Sequence, residues 1–208
     1  MSDYLTDEEQ IAKLKAWWEE NGTGLVVGLI LVIGGVIGWR WYDGYRTEQI
    51  ESASTLYEEF LASEGEVREQ LAASIDAQIP DTSYQVFTLL HRAHAAAEEA
   101  DFATTEALLV RAVAAAPDAL LADVARLRLA RVLQQGDRSD DALAVLGAIR
   151  GEGFRSHVAE LKGDIHLTRG ETVLAHEAYS AALVELSKGE VRPMLEMKVA
   201  DTAGVGDA

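Results

Sequence analysis

ELKGDIHLTRGETVLAHEAYSAAL, running from Glu160 to Leu183, carries the pattern that decides the fold. Gly163, Gly170, Ala175, Tyr179 and Ala182 follow one another at spacings of 7, 5, 4 and 3 residues. Two antiparallel helices joined at Gly170 account for this order. Glycine turns the chain where the first helix ends. Small residues on both helices let the backbones touch, and the tyrosine fills the gap towards the next pair. No part of the chain alternates with a period of two, and an apolar content of 49% with few breakers favours helix throughout. The expected class is all-α.

The unit recurs upstream. Arg169-Gly170-Glu171 answers Gln135-Gly136-Asp137, with the two glycines 34 residues apart. That is the period of a tetratricopeptide helix–turn–helix, whose order of small residue, turn glycine, small residue, aromatic and small residue the last unit resembles. An earlier unit shows Ala93, Asp101-Phe102, Ala112 and a closing Pro117. The middle unit runs from Ala122 to Ile149, with Ala142 displaced by one extra residue after its turn. Three units in register predict an α-solenoid over residues 81–200, opened by the caps of Asp81-Thr82-Ser83, with an irregular helical bundle as the alternative. Residues 43–80 read as linking helices broken at Ser63 to Gly65 and at Pro80, and residues 201–208 as a disordered tail.

The other end of the chain follows different rules. From Asn21 to Trp39, NGTGLVVGLILVIGGVIGW holds no charge. A helix of that length covers about 28 Å, close to the hydrocarbon thickness of a bilayer. Trp17 and Trp18 precede the run, and Trp39, Trp41, Tyr42 and Tyr45 lie at or beyond its far end, as aromatic belts do at membrane interfaces. A cleaved signal fits poorly, because the preceding residues are acidic and no small-residue cleavage site follows. Residues 22–42 are therefore expected to form one transmembrane helix behind a short tail, residues 1–21. A capping box at Thr6-x-x-Glu9 would open an amphipathic helix in that tail, with Ile11, Leu14 and Trp18 on one face, and Asn21-Gly22 would end it. Gly24, Gly28, Gly35 and Gly38 fall on one stripe of the membrane helix. Such a stripe admits a neighbouring helix closely, although glycine is common in membrane helices in any case.

Charge and chemistry narrow the function. The net charge is −17, with 16 bases against 29 acids from residue 40 onward, so nucleic acid and anionic lipid would be repelled. Cysteine is absent. No phosphate-binding loop, zinc-protease pair or nucleophile elbow is present. His91 and His94 stand three apart on a helix but have no evident third ligand. Neither enzyme activity nor a cofactor is expected. What remains is a groove built by the first helix of each pair. Counting the register across the units places Phe87, Leu90 and His94 there in the first, Asp123, Arg126 and Leu133 in the second, and His157, Glu160 and Asp164 in the third. Arg126 is the one firm cation of that set, so an extended, partly apolar segment suits the groove better than a clamped C-terminal carboxylate.

Five stretches together resemble one family. They are ENGTGLVVGLILVIGGVIGWRWY at the anchor, LRLARVLQQGD and ALAVLGAIRGEGF in the middle, and ELKGDIHLTRGE followed by MLEMKV. The most specific is the junction Ile149-Arg150-Gly151-Glu152-Gly153-Phe154, whose aromatic stands where the family usually has tryptophan. The chain resembles the YfgM-like ancillary subunits of the bacterial SecYEG translocon. That resemblance implies a single-pass inner-membrane protein with a cytoplasmic N-terminus and a periplasmic repeat domain. It implies SecYEG and a membrane-anchored periplasmic chaperone of the PpiD type as partners, with unfolded exported polypeptides as clients. The residues alone leave orientation open, since Lys13 and Lys15 balance Arg40 and Arg46. They also leave open an inner-membrane scaffold, or a stress-response regulator, unrelated to secretion.

Overall fold

The structure, a computed structural model, describes residues 7–186 and 190–204. These residues form nine α-helices and one short 3-10 turn, with no strand among them. The chain divides into two units, one up to Ser52 and the other from Ala53 onward.

The described part of the first unit lies within α1 (Asp7–Ala62). The expected stop at Asn21-Gly22 does not occur. The Asn21 side-chain amide donates to the Trp17 carbonyl at 3.1 Å, one turn back, so it supports the helix it was expected to end. Gly22 lies beneath the Trp18 indole, where an added Cβ would sit 3.1 Å from the ring. Thr6, the proposed cap, lies outside the described residues. Within α1, Gln10–Asp43 is the one segment among the described residues long and apolar enough to cross a membrane. Its side chains from Leu25 to Ile37 are exposed, unlike those of a soluble core helix.

The second unit starts with the last turns of α1. Phe60 is fully buried there with Ala72 and Ile75 of α2 (Gly65–Gln78), so the expected linking helices carry a small core of their own. Three hairpins follow. They are α3 (Ser83–Glu98) with α4 (Phe102–Ala114), α5 (Ala119–Gln135) with α6 (Ser139–Gly147), and α7 (Arg155–Thr168) with α8 (Thr172–Val184). Thr82 caps α3 by accepting from the Gln85 amide, and Asp101 and Asp118 cap α4 and α5 in the same way.

The turns inside the hairpins are copies of one another. Each has one residue in the left-handed region: Ala100 (φ 58°), Asp137 (φ 57°) and Gly170 (φ 75°). The amides of Ala100, Asp137 and Gly170 donate to the carbonyls of Ala97, Gln134 and Leu167. The next amides, of Asp101, Arg138 and Glu171, donate to Ala96, Leu133 and His166. This paired bonding is the Schellman end of a helix. Counting from the left-handed residue changes the register of the middle unit. The structural equivalent of Gly170 is Asp137, because Gly136 sits at φ −86° and is still the helix cap. Ala142 then stands five residues beyond the turn, as Ala175 does, and the expected insertion disappears.

Packing repeats with the same register. Ala93, Ala130 and Gly163 are buried small residues at the same place in the three first helices, seven residues before the left-handed turn residue. Thr105, Ala142 and Ala175 are their buried counterparts on the second helices, followed four residues later by Leu109, Leu146 and Tyr179. The tightest contact is the last, where a Cβ on Gly163 would lie 2.4 Å from the Tyr179 ring. One continuous core runs from Val86 to Ile165, and a second joins Ala175, Tyr179 and Ala182 to Leu195 of α9 (Pro193–Thr202). The expected start of a tail at residue 201 is corrected, because Asp201 and Thr202 belong to α9 and Thr202 is buried. Residues 205–208 lie outside the described residues.

Two substitutions test this register. Gly163→Ala drives a methyl into the Tyr179 ring and is expected to cost about 2 kcal/mol in urea unfolding. Ala100→Gly relieves a left-handed alanine and is expected to add about 1 kcal/mol.

Candidate partner-binding cleft

The sequence placed Phe87, Leu90 and His94 on one groove, and the structure brings them together in a cleft of about 580 Å³. The 3.6-residue period of α3 puts His91 in the same wall, and the Tyr57 ring lies 6.1 Å from that of Phe87. Leu90, Thr105 and Leu109 are buried and form the base of the cleft. Across from α3, α5 supplies Arg128, Arg131 and Val132. Burial holds His91 below the ordinary histidine range, and the nearby Arg68 guanidinium and His94 act in the same direction. Its ring meets Phe60 edge-on at 5.4 Å.

The middle set of expected groove residues is corrected. Aligning Ala93 with Ala130 makes Val124, Leu127 and Arg131 the equivalents of Phe87, Leu90 and His94. Asp123 and Arg126 stand one residue before Val124 and Leu127, and Leu133 stands two residues after Arg131. Leu133 is buried in the main core and cannot face a partner. Asp123 is also buried, and its carboxylate holds the junction after α6. It accepts from the amides of Arg150 (3.1 Å) and Gly151 (2.9 Å) and from Arg126 Nη1 (2.8 Å). Arg126 is thus occupied by Asp123. A side chain at Gly151 would meet Phe154 at 2.9 Å, which explains the glycine in the junction. Burial pushes the Asp123 carboxyl up, but the Gly151 amide, the Arg126 guanidinium and the Arg150 amide together hold it below the usual carboxylate range.

The third set is also largely occupied. Glu160 pairs with Arg192 and with Lys198 Nζ at 2.9 Å. Asp164 accepts from Lys198 at 2.6 Å and from the Tyr179 hydroxyl at 2.8 Å. Burial and the Asp164 carboxylate raise the Tyr179 phenol far above its ordinary value. These acids tie α7 to α9 and do not stand free. His157 is half-buried, and its Nδ1 is buried without a partner. In the first unit of the chain, Gly24, Gly28, Gly35 and Gly38 have no atom within 4 Å of where a Cβ would stand, so the stripe is bare.

Sequence reasoning missed Arg128 and Arg131. Both are exposed, and the signal that would have found Arg131 is the left-handed turn residue, which fixes the register.

Helical hairpins stacked in register, capped by a final helix and lined by a cleft, define a tetratricopeptide-like interaction domain. The model of the tetratricopeptide repeat-like domain family matches residues 15–204. An ancillary SecYEG translocon subunit of Haemophilus influenzae is 35% identical over 96% of this chain and 98% of its own length. The Escherichia coli K12 protein of that name is 32% identical with the same coverage, and one from Neisseria gonorrhoeae is 26% identical over 96% of this chain and 98% of its own. The chain belongs to the family of ancillary SecYEG translocon subunits. No solved structure matches it.

Acid should loosen the junction. Asp123 and Glu160 have depressed pKa values in the folded state. Their stabilisation is present above the unfolded value of about 4 and is lost as pH falls through the folded values. Asp123→Asn is expected to cost about 2 kcal/mol at neutral pH, by weakening the hold on the two loop amides. It should also flatten the acid limb of the stability profile, measured by urea unfolding between neutral and acidic pH.

Proposed function

We propose that this protein is a single-pass ancillary subunit of the SecYEG translocon. Its N-terminus is cytoplasmic, and its repeat domain lies on the periplasmic side of the inner membrane. There it links emerging chains to periplasmic chaperones, including a membrane-anchored one of the PpiD type. The observation that carries the reading is likeness along the whole chain, apolar helix included, to proteins named as translocon subunits. The shape of the domain agrees, since stacked helical hairpins serve protein contact. The cleft sets apolar side chains beside two arginines, which supports a binding role.

Tethering gives weak contacts their effect. A domain held at the channel exit meets its partners at high effective concentration, so modest affinity suffices. The glycine stripe supplies the membrane contact in this reading, because a side-chain-free strip lets another helix approach closely.

The test is purification of the tagged full-length protein from membranes in mild detergent. SecYEG subunits and a periplasmic chaperone are expected in the eluate, and recovery of an unrelated envelope complex instead would favour a scaffold. Gly28→Leu combined with Gly35→Leu is expected to reduce SecYEG recovery severalfold. Unchanged recovery would remove the glycine stripe from the reading.

A further inference from the structure

We infer that the cleft between α3 and α5 takes an extended segment of a partner protein in which carboxylates flank aromatic or aliphatic side chains, with Arg128 and Arg131 pairing the carboxylates. The inference rests on the functional reading above and names the chemistry of what that domain holds.

The observation is one of pairing. From Ala53 onward the chain has eleven arginines. Seven of them, Arg92, Arg111, Arg126, Arg138, Arg155, Arg169 and Arg192, form ion pairs with carboxylates of the same chain. Arg68 donates to the Ser63 carbonyl and Arg150 to the Gly147 carbonyl. The two that remain, Arg128 and Arg131, have no ion-pair or hydrogen-bond partner among the described residues, and both line the cleft. Acids outnumber bases by 13 from residue 40 onward, so carboxylates are abundant in this chain. Among the described residues, none of them pairs with these two guanidinium groups.

The rest of the cleft states what accompanies the carboxylate. Phe87 is 38% exposed, Tyr57 stands beside it, and Leu90 and Leu109 close the base, so the site offers apolar surface next to the unpaired cations. About 580 Å³ accommodates a few side chains, not a folded domain. Guanidinium groups bind carboxylates in bidentate geometry, and a pair of them adjoining an aromatic wall selects acidic–apolar sequence. A phosphodiester polymer or an anionic lipid surface would also attract the two arginines, but the surplus of carboxylates on the same chain repels both over their larger extent.

The full-length protein in detergent is titrated into a short labelled peptide in which phenylalanine and leucine alternate with aspartate and glutamate. A counterpart with lysine at each acidic position is measured in parallel by fluorescence anisotropy. The acidic peptide is expected to bind about tenfold tighter, a preference that shrinks as salt rises. Arg128→Glu with Arg131→Glu should reverse the preference, and Arg128→Gln with Arg131→Gln should abolish it while the helical circular dichroism stays unchanged. Equal binding of the two peptides, or a preference retained in both double variants, overturns the inference. So does tighter binding of anionic phosphatidylglycerol vesicles or of an oligonucleotide than of the acidic peptide. The same preparations are assayed for SecYEG recovery. If SecYEG is recovered without a peptide preference, only the cleft inference falls; a preference without SecYEG leaves the cleft standing and overturns the functional reading.

Discussion

One buried carboxylate pins the junction between the second and third hairpins. α6 and α7 touch only sparingly, and the 3-10 turn Glu152–Phe154 separates them. What fixes the start of α7 is Asp123, one hairpin earlier in the chain, which binds the amides of Arg150 and Gly151. A buried carboxylate is costly unless its oxygens are occupied, and here two amides and one guanidinium occupy them. The local chemistry follows from that. Gly151 leaves room for the oxygen, Phe154 packs against the main core from the far side of the junction, and Arg126 is drawn away from the groove.

The sequence read the repeat well wherever glycine marked the turn and misread it where glycine did not. Gly170 is left-handed, and the last unit was legible from its spacing. In the middle unit a glycine sits next to the turn, but the left-handed residue is Asp137, a residue type that tolerates that conformation. A register slip of one residue on a helix rotates every side chain by about 100°. The slip hides Arg131, the equivalent of His94, while Arg128 is the equivalent of His91, a position the groove count does not include. The first unit carries alanine at this position, Ala100, which no turn rule selects, yet its expected groove residues Phe87, Leu90 and His94 do line the cleft. The long apolar helix was plain in the sequence. Its passage through Asn21-Gly22 was not, because stop signals act only when the helix has a reason to end.

Charge organises the surface of the repeats in two different ways. Most basic groups serve inside the fold. Arg111 reaches Asp76, Arg138 bridges to Glu106 and Asp141, and Arg169 reaches Asp140, so ion pairs connect successive hairpins. Such exposed pairs contribute little each, and their main effect here is to leave few cations uncommitted. The arginines on α5 that face the cleft stand out against that background.

The last helix has a consequence of another kind. A stack of identical hairpins has, in principle, no natural end, and an open final face invites a second copy to continue the series. Here Arg192 and Lys198 neutralise Glu160 and Asp164, Leu195 closes the apolar gap beside Tyr179, and His176 meets the Val199 carbonyl and the Thr202 hydroxyl at 3.2 Å. The inner face of α9 is thus spent on the third hairpin. α9 therefore occupies the face of the third hairpin on which a fourth would otherwise stack, and it closes the series with a single helix in place of a pair.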